Sequence, residues 1–292
     1  NEIYVLKKLD SKHIFHSHDK TKYFKLTLSD SGDNLAFIID ADTSKSYHRD
    51  NELYIWNKTL DNASIIANTK ISPEGYRVSS DGMVMFSEDE SKLYFGLALP
   101  EIYQDSLLLD EEIINVEVWS YNEPRLYTVQ EMQLKNDKKK SFQTVFHLKD
   151  KKLVQIANKD FPRAFLSDEG NGNHALITRT EPYQLSSQWT GQFSKNDLKV
   201  INIDNGISKM AIKGNSNYAR FSPKGKYAYG YNEYDSTWYT YNIETSKYTK
   251  LTKGKIFYNE LSDYPDYPRS YGSAGWTEDD KSIIIYDRYD IW

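Results

Sequence analysis

The stretch "FSPKGKYAYGYNEYDSTWYTYNIETSKYTKLT", Phe221 to Thr252, alternates apolar and polar positions and is punctuated by Ser, Pro, Gly, Asn and Thr. In order it gives a large aromatic, a Ser-Pro-Lys-Gly turn, an apolar strand, an aromatic strand, an Asn-Ile-Glu-Thr turn and a Thr-rich strand. Period two puts alternate side chains on one face, and short polar side chains bond back to the backbone in turns. The pattern predicts one four-stranded antiparallel sheet.

The same grammar recurs. Aligned on the turn, five copies are "LSDSGDNLAFII" from Leu28, "FSEDESKLYFGL" from Phe86, "LSDEGNGNHALI" from Leu166, "FSPKGKYAYGYN" from Phe221 and "WTEDDKSIIIYD" from Trp276. Their hydroxyl residues Ser29, Ser87, Ser167, Ser222 and Thr277 stand 58, 80, 55 and 55 residues apart. A later strand also repeats, as "NELYIW" (51–56), "DLKVINID" (197–204) and "TWYTYNIE" (237–244). Four strands per unit of roughly 40–55 residues is the arithmetic of propeller blades. A β-sandwich does not need one turn five times in register.

The fold class expected is therefore all-β, a β-propeller of four-stranded antiparallel blades. About four to five blades lie in this chain, as part of a larger seven- or eight-bladed ring. Blades are expected over 24–70, 85–160, 161–215 and 216–260, with outer strands of a first blade over 1–23 and a partial last blade over 275–292. The 80-residue interval holds an insertion over 100–115, where "QDSLLLDEE" (104–112) is the one place suited to a short helical turn. Helix is otherwise nearly absent from the pattern.

Composition narrows the function. The 24 Tyr, 12 Phe and 6 Trp suit thin sheets whose rings are buried while their polar tips reach water. A net charge of −5, from 42 acidic and 37 basic residues, leaves no basic field to draw a nucleic-acid backbone or an anionic membrane. The absence of cysteine removes disulfides, thiolate metal sites and cysteine nucleophiles and leaves the redox compartment open. The longest apolar runs, such as "LAFII" (35–39), fall far short of the roughly 20 residues of a membrane-spanning helix. The chain begins at Asn1 without a charged-then-apolar leader, so either a targeting segment has been removed or these residues belong to something longer.

The turn "FSPKGKYAYGYN", the close "NIETSKYTKLT", and above all "VEVWSYNEPRLYTVQ" (116–130) with "YDRYDIW" (286–292) resemble the propeller part of bacterial prolyl-oligopeptidase-family serine peptidases, whose blades are similar to TolB-type, WD40-like repeats. The resemblance covers essentially the whole chain. It implies a propeller that restricts access to, and positions peptides beside, a Ser-Asp-His triad on a C-terminal α/β-hydrolase domain. It also implies a periplasmic or secreted location, with the cytoplasm as the alternative. Peptide substrate or that hydrolase domain would be the partner, with no nucleic acid, membrane, cofactor or metal. A TolB-like interaction propeller without enzymatic activity is the second reading. A propeller lyase acting on acidic sugars is a third, and the six scattered histidines supply no obvious ligand set for it.

No catalytic residue transfers from the family. A nucleophile elbow needs Gly-x-Ser-x-Gly, and "YGSAG" puts Tyr271 where the first Gly belongs, with no helical sequence after Ser273. The substrate-binding or docking candidates lie in two stretches. "WSYNEPRL" offers Trp119, Tyr121, Glu123 and Arg125, with Pro124 marking an edge or loop; "DYPDYPRSYGSAGW" (263–276) is a long inter-blade loop with Tyr264, Tyr267 and Arg269. "HIFHSH" would place His16 and His18 on one strand face and His13 opposite, a solvated strand before a metal site. "DADTSKS" from Asp40 fails as a calcium loop, having Lys45 at the glycine position and Asn51 in place of the final Glu. "DEE" (110–112) with Glu117 reads as a solvated acidic insertion, "NDKKK" (136–140) as a hairpin tip, and "NKT" and "NAS" near 57–64 as sequons that matter only in a eukaryotic secretory route.

Overall fold

The computed structural model describes residues 2–8, 11–17, 21–40, 49–101, 107–113, 116–117, 119–191 and 195–292. His18 and the body of the "DADTSKS" stretch lie outside them. The chain divides into two compact units, Asn1–Val118 with Gln130–Gln155, and Trp119–Val129 with Ile156–Trp292.

In the first unit, β1 (Glu2–Lys8) and β2 (Ser11–Ser17) form an antiparallel hairpin. Then β3 (Lys22–Leu28), β4 (Asn34–Asp40), β5 (Asn51–Asn57) and β6 (Ser64–Ala67) make a four-stranded sheet whose spatial order is the chain order. The next sheet contains β7 (Arg77–Val78), β8 (Met85–Phe86), β9 (Lys92–Ala98), β10 (Phe142–His147) and β11 (Lys152–Gln155). Here β7 and β8 pair with opposite ends of β9 and act as one interrupted first strand. The interruption brings Gly82 over Gly96: a Cβ on Gly82 would lie 2.7 Å from the Gly96 Cα, so only glycine fits either position.

The second unit repeats the plan. β12 (Arg163–Leu166), β13 (His174–Arg179), β14 (Asn196–Asn202) and β15 (Ser208–Asn215) form one sheet, and β16 (Arg220–Phe221), β17 (Tyr227–Asn232), β18 (Thr237–Asn242) and β19 (Tyr248–Lys250) the next. A two-stranded sheet, β20 (Ser273–Trp276) with β21 (Ile283–Ile285), follows. All pairs are antiparallel, and the architecture is all-β, of β-propeller blade type.

Second strands are buried on both faces, as "NLAFIID" in β4 and "KLYFGLA" in β9 show. In β4, Ala36 and Ile38 pack with Leu53 against Val78, Leu93, Phe95 and Leu97 of the next sheet, while Leu35, Phe37 and Ile39 face Ile3 of β1 and Trp56. Period two therefore serves two interfaces at once. In the second unit Leu176, Leu198 and Val200 meet Ala219, Ala228 and Tyr241 in the same way.

The five repeated turns share one hydrogen-bond scheme, which explains their sequence. In each, the N–H three residues after the hydroxyl residue donates to that residue's carbonyl, at 2.8–3.0 Å, in Gly32, Glu90, Gly170, Gly225 and Asp280. That position has positive φ every time: 75°, 54°, 92°, 71° and 55° in chain order. In four turns the hydroxyl accepts the N–H five residues on, from Asn34, Lys92, Tyr227 and Ser282, at 3.0–3.1 Å. The turn at Ser167 is two residues longer, and there the hydroxyl donates to the His174 carbonyl at 2.7 Å.

Where the left-handed position is acidic, its side chain reaches the preceding turn. Glu90 accepts the Ser31 N–H (2.6 Å) and hydroxyl (2.7 Å). Asp280 accepts the Ser222 hydroxyl at 2.6 Å and the N–H groups of Lys224 and Lys226 at 3.1 Å each. Carboxylates thus fasten successive sheets inside each unit.

Two helices correct the expectation that helix is nearly absent. Tyr127–Lys138 is a helix, α1, so "NDKKK" is no hairpin tip: its first three residues end α1, where Lys135 and Lys138 complement the negative helix terminus, and its last two follow the helix. Glu181–Thr190, between β13 and β14, is α2; Glu181 and Pro182 open it and Gly191 closes it at φ 67°. Neither helix buries a residue fully. Among the described residues, no helix is long and apolar enough to cross a membrane.

Candidate functional site

A cavity of about 700 Å³ in the second unit opens beside the sheet of β16–β19. Its wall is built by strand pairing: Tyr231 of β17 stands opposite Trp238 of β18, with ring centroids 5.7 Å apart. Arg220 comes from the two-residue strand β16, opposite Tyr229. Glu233 follows β17 at its end, and its N–H donates to the Ser216 hydroxyl at 2.8 Å.

The far side is the loop between β19 and β20. Phe257 is buried with Tyr231, Trp238 and Ile285. The loop closes on itself through Asn259 N–H to the Arg269 carbonyl (2.8 Å), Tyr271 N–H to the Phe257 carbonyl (3.0 Å) and the Tyr258–Ser270 bridge. The Tyr231 hydroxyl reaches the Pro268 carbonyl at 3.4 Å. These bonds hold Arg269 at the cavity rim. The floor is polar: the Asn196 amide donates to the carbonyls of Asn215 (3.2 Å) and Asn217 (3.1 Å).

Burial pushes the Glu233 carboxyl above its ordinary value; Arg269 pulls it back and Asp266 pushes it further up. The Tyr231 hydroxyl is likewise raised, first by burial. Two buried polar atoms of cavity residues have no hydrogen-bond partner, Trp238 Nε1 and Asn196 Oδ1. The arrangement offers two guanidinium groups, one carboxyl and an aromatic wall.

Of the binding or docking candidates taken from sequence, Arg269 alone lines this cavity; Ser273, rejected as a nucleophile, also lies on its wall. Tyr267 packs edge-on against Tyr234, with centroids 4.8 Å apart, and Tyr264 is exposed. Trp119 lies 5.2 Å from the Tyr127 ring and is exposed, as is Tyr121. Their segment, with half-buried Glu123 and Arg125, is tied to α2: Gln188 accepts the Leu126 N–H at 2.8 Å and donates to the Pro124 carbonyl at 2.6 Å. "WSYNEPRL" is therefore a strap on α2 and contributes nothing to the cavity lining.

Sequence reasoning missed Arg220, Glu233, Trp238 and Asn196. For Arg220 a signal existed. The residue two before the turn hydroxyl is Thr27, Met85, Phe165, Arg220 and Gly275 in the five copies, so a charge occurs there once. Elsewhere, the His16 ring bonds the Tyr23 hydroxyl at 2.8 Å and packs among Tyr23, Phe37 and Tyr54. Ser273 sits in β20, which leads through a turn into another strand; the strand-to-helix geometry of a nucleophile elbow does not form there. Among the described residues, no three His, Asp or Glu side chains converge as a metal site would require.

No family model and no curated protein matches the chain. Solved structures do. The chain is similar to TolB from Acinetobacter baumannii, at 12% identity and a TM-score of 0.28, covering 85% of this chain and 58% of that one. It is similar to a prolyl endopeptidase, at 10% identity and a TM-score of 0.37, covering 86% and 32% respectively. It is also similar to the β-propeller domain of the Trilobed protease from Pyrococcus furiosus, at 11% identity and a TM-score of 0.36, covering 92% and 71%. The chain thus spans about a third of the prolyl endopeptidase and under two thirds of TolB.

Proposed function

We propose that these residues are the non-catalytic propeller part of a prolyl-oligopeptidase-type serine peptidase, which restricts access and positions peptide ends beside a triad carried outside residues 1–292. The observation that carries this reading is the second unit's cavity, which sets opposite charges against an aromatic wall, the combination that suits the polar end and apolar side chain of a short peptide. The sequence resemblance of 116–130 and 286–292 agrees with it, and the strand position of Ser273 leaves the hydrolytic step to other residues. Peptide substrate or a hydrolase domain is the partner, and a periplasmic or secreted location accompanies this reading. A fluorophosphonate probe applied to the whole native protein tests it. Labelling of a serine outside residues 1–292 is expected; no labelling, or labelling of Ser273, contradicts it. The second reading, a TolB-like interaction propeller, draws on the exposed aromatics Trp119, Tyr121 and Trp189, and it predicts the absence of labelling.

A further inference from the structure

We propose that the second unit's cavity receives the free carboxylate end of a peptide, with Arg220 as the anion-binding group. The inference rests on the peptide-positioning reading above and names which end is held. Arg220 is exposed at the cavity, and among the described residues it forms no salt bridge. A guanidinium stays charged and presents a fork of donors that matches a carboxylate. Arg269 adds a second positive charge at the rim, against the single carboxyl of Glu233.

The cavity wall indicates what accompanies the anion. Tyr229, Tyr231 and Trp238 give a planar apolar wall for the last side chain.

Calorimetric titration of the chain with N-acetyl-Ala-Ala-Phe and its C-terminal amide decides the matter, since acetylation leaves no ammonium in either peptide. The acid should bind at least about ten-fold more tightly than the amide, as expected for losing a charge-assisted pair. Arg220→Gln, an exposed substitution, should bring the acid down to the amide's affinity. Equal binding of acid and amide overturns the carboxylate assignment but leaves peptide positioning standing. Tighter binding of unacetylated Ala-Ala-Phe amide than of the acid overturns it in favour of Glu233. Inorganic phosphate binding as tightly as the acid overturns it in favour of a simple anion site, and no binding of any peptide removes both readings.

Discussion

Asp280 is the most informative position at which to test how the sheets of the second unit are held. Its carboxylate is 2% exposed and accepts three hydrogen bonds from the preceding turn, one from Ser222 and two from backbone N–H groups. Hydrogen bonds to a charged group contribute about 1.5–3 kcal/mol each, but the three share one desolvated carboxylate, whose burial offsets part of the sum. Against them stands the left-handed backbone at φ 55°, which costs a residue with a Cβ about 1–2 kcal/mol. Asp280→Ala loses the bonds and keeps the strain, and should destabilise by about 3 kcal/mol. Asp280→Gly loses the bonds and relieves the strain, so it should cost about 1–2 kcal/mol less than alanine. Asp280→Asn keeps one acceptor and should fall between the parent and glycine. Urea unfolding followed by tryptophan fluorescence reads this order, since Trp276 stacks on Tyr227 with centroids 5.3 Å apart across the same two sheets. An alanine variant within about 0.5 kcal/mol of the parent, the scatter of ordinary surface changes, or a glycine variant less stable than alanine, would refute the reasoning.

Three further outcomes follow from the same geometry. Gly225→Ala should cost more than Gly32→Ala by about 1 kcal/mol: both have positive φ, but a Cβ on Gly225 would sit 3.2 Å from the Ser167 Cβ while one on Gly32 meets nothing within 4 Å, and paired thermal melts compare them. Asp197 is buried, which alone would raise its carboxyl, yet the bonds from Tyr183, Arg179 and the Gly214 N–H hold it below the ordinary carboxylate value. Its stabilisation is therefore full at neutral pH and lost as pH falls through the folded value, so Asp197→Asn should flatten the acid limb of a stability profile and cost about 2–3 kcal/mol at pH 7. Glu233 has the opposite sign: with its folded value raised by burial, stability falls as pH rises from its ordinary value through the folded one, and Glu233→Gln should remove that slope.

The blade turns were legible because their chemistry is local. A hydroxyl that caps the N–H five residues on, and a glycine or acid in the left-handed position, leave a mark within six residues of sequence. Alternation gave the strands for the same reason, although buried second strands such as β9 lose the polar half of the pattern. The helix α2 carried readable signals in Glu181, Pro182 and Gly191, which the strand grammar on both sides overshadowed. α1 had fewer: it follows Pro124, buries nothing fully, and is marked mainly by good helix formers such as Gln, Glu, Met and Lys. The cavity was not legible as a site, because Asn196, Arg220, Glu233, Trp238 and Arg269 converge only through sheet pairing and loop closure. Arg269 was found from loop length and aromatic company, and the same criterion pointed to Trp119 and Tyr121, which the Gln188 bonds tie to α2 instead.

Hydrogen exchange read by mass spectrometry, with and without N-acetyl-Ala-Ala-Phe-Ala-Ala-Phe, tests the central claim most directly, because one experiment reports where a peptide sits and whether it is cut. Added protection confined to 216–220, 229–238 and 257–273, with the peptide recovered at its full mass, is the predicted result. Protection elsewhere with those three segments unchanged, or recovery of shortened peptide, would contradict it.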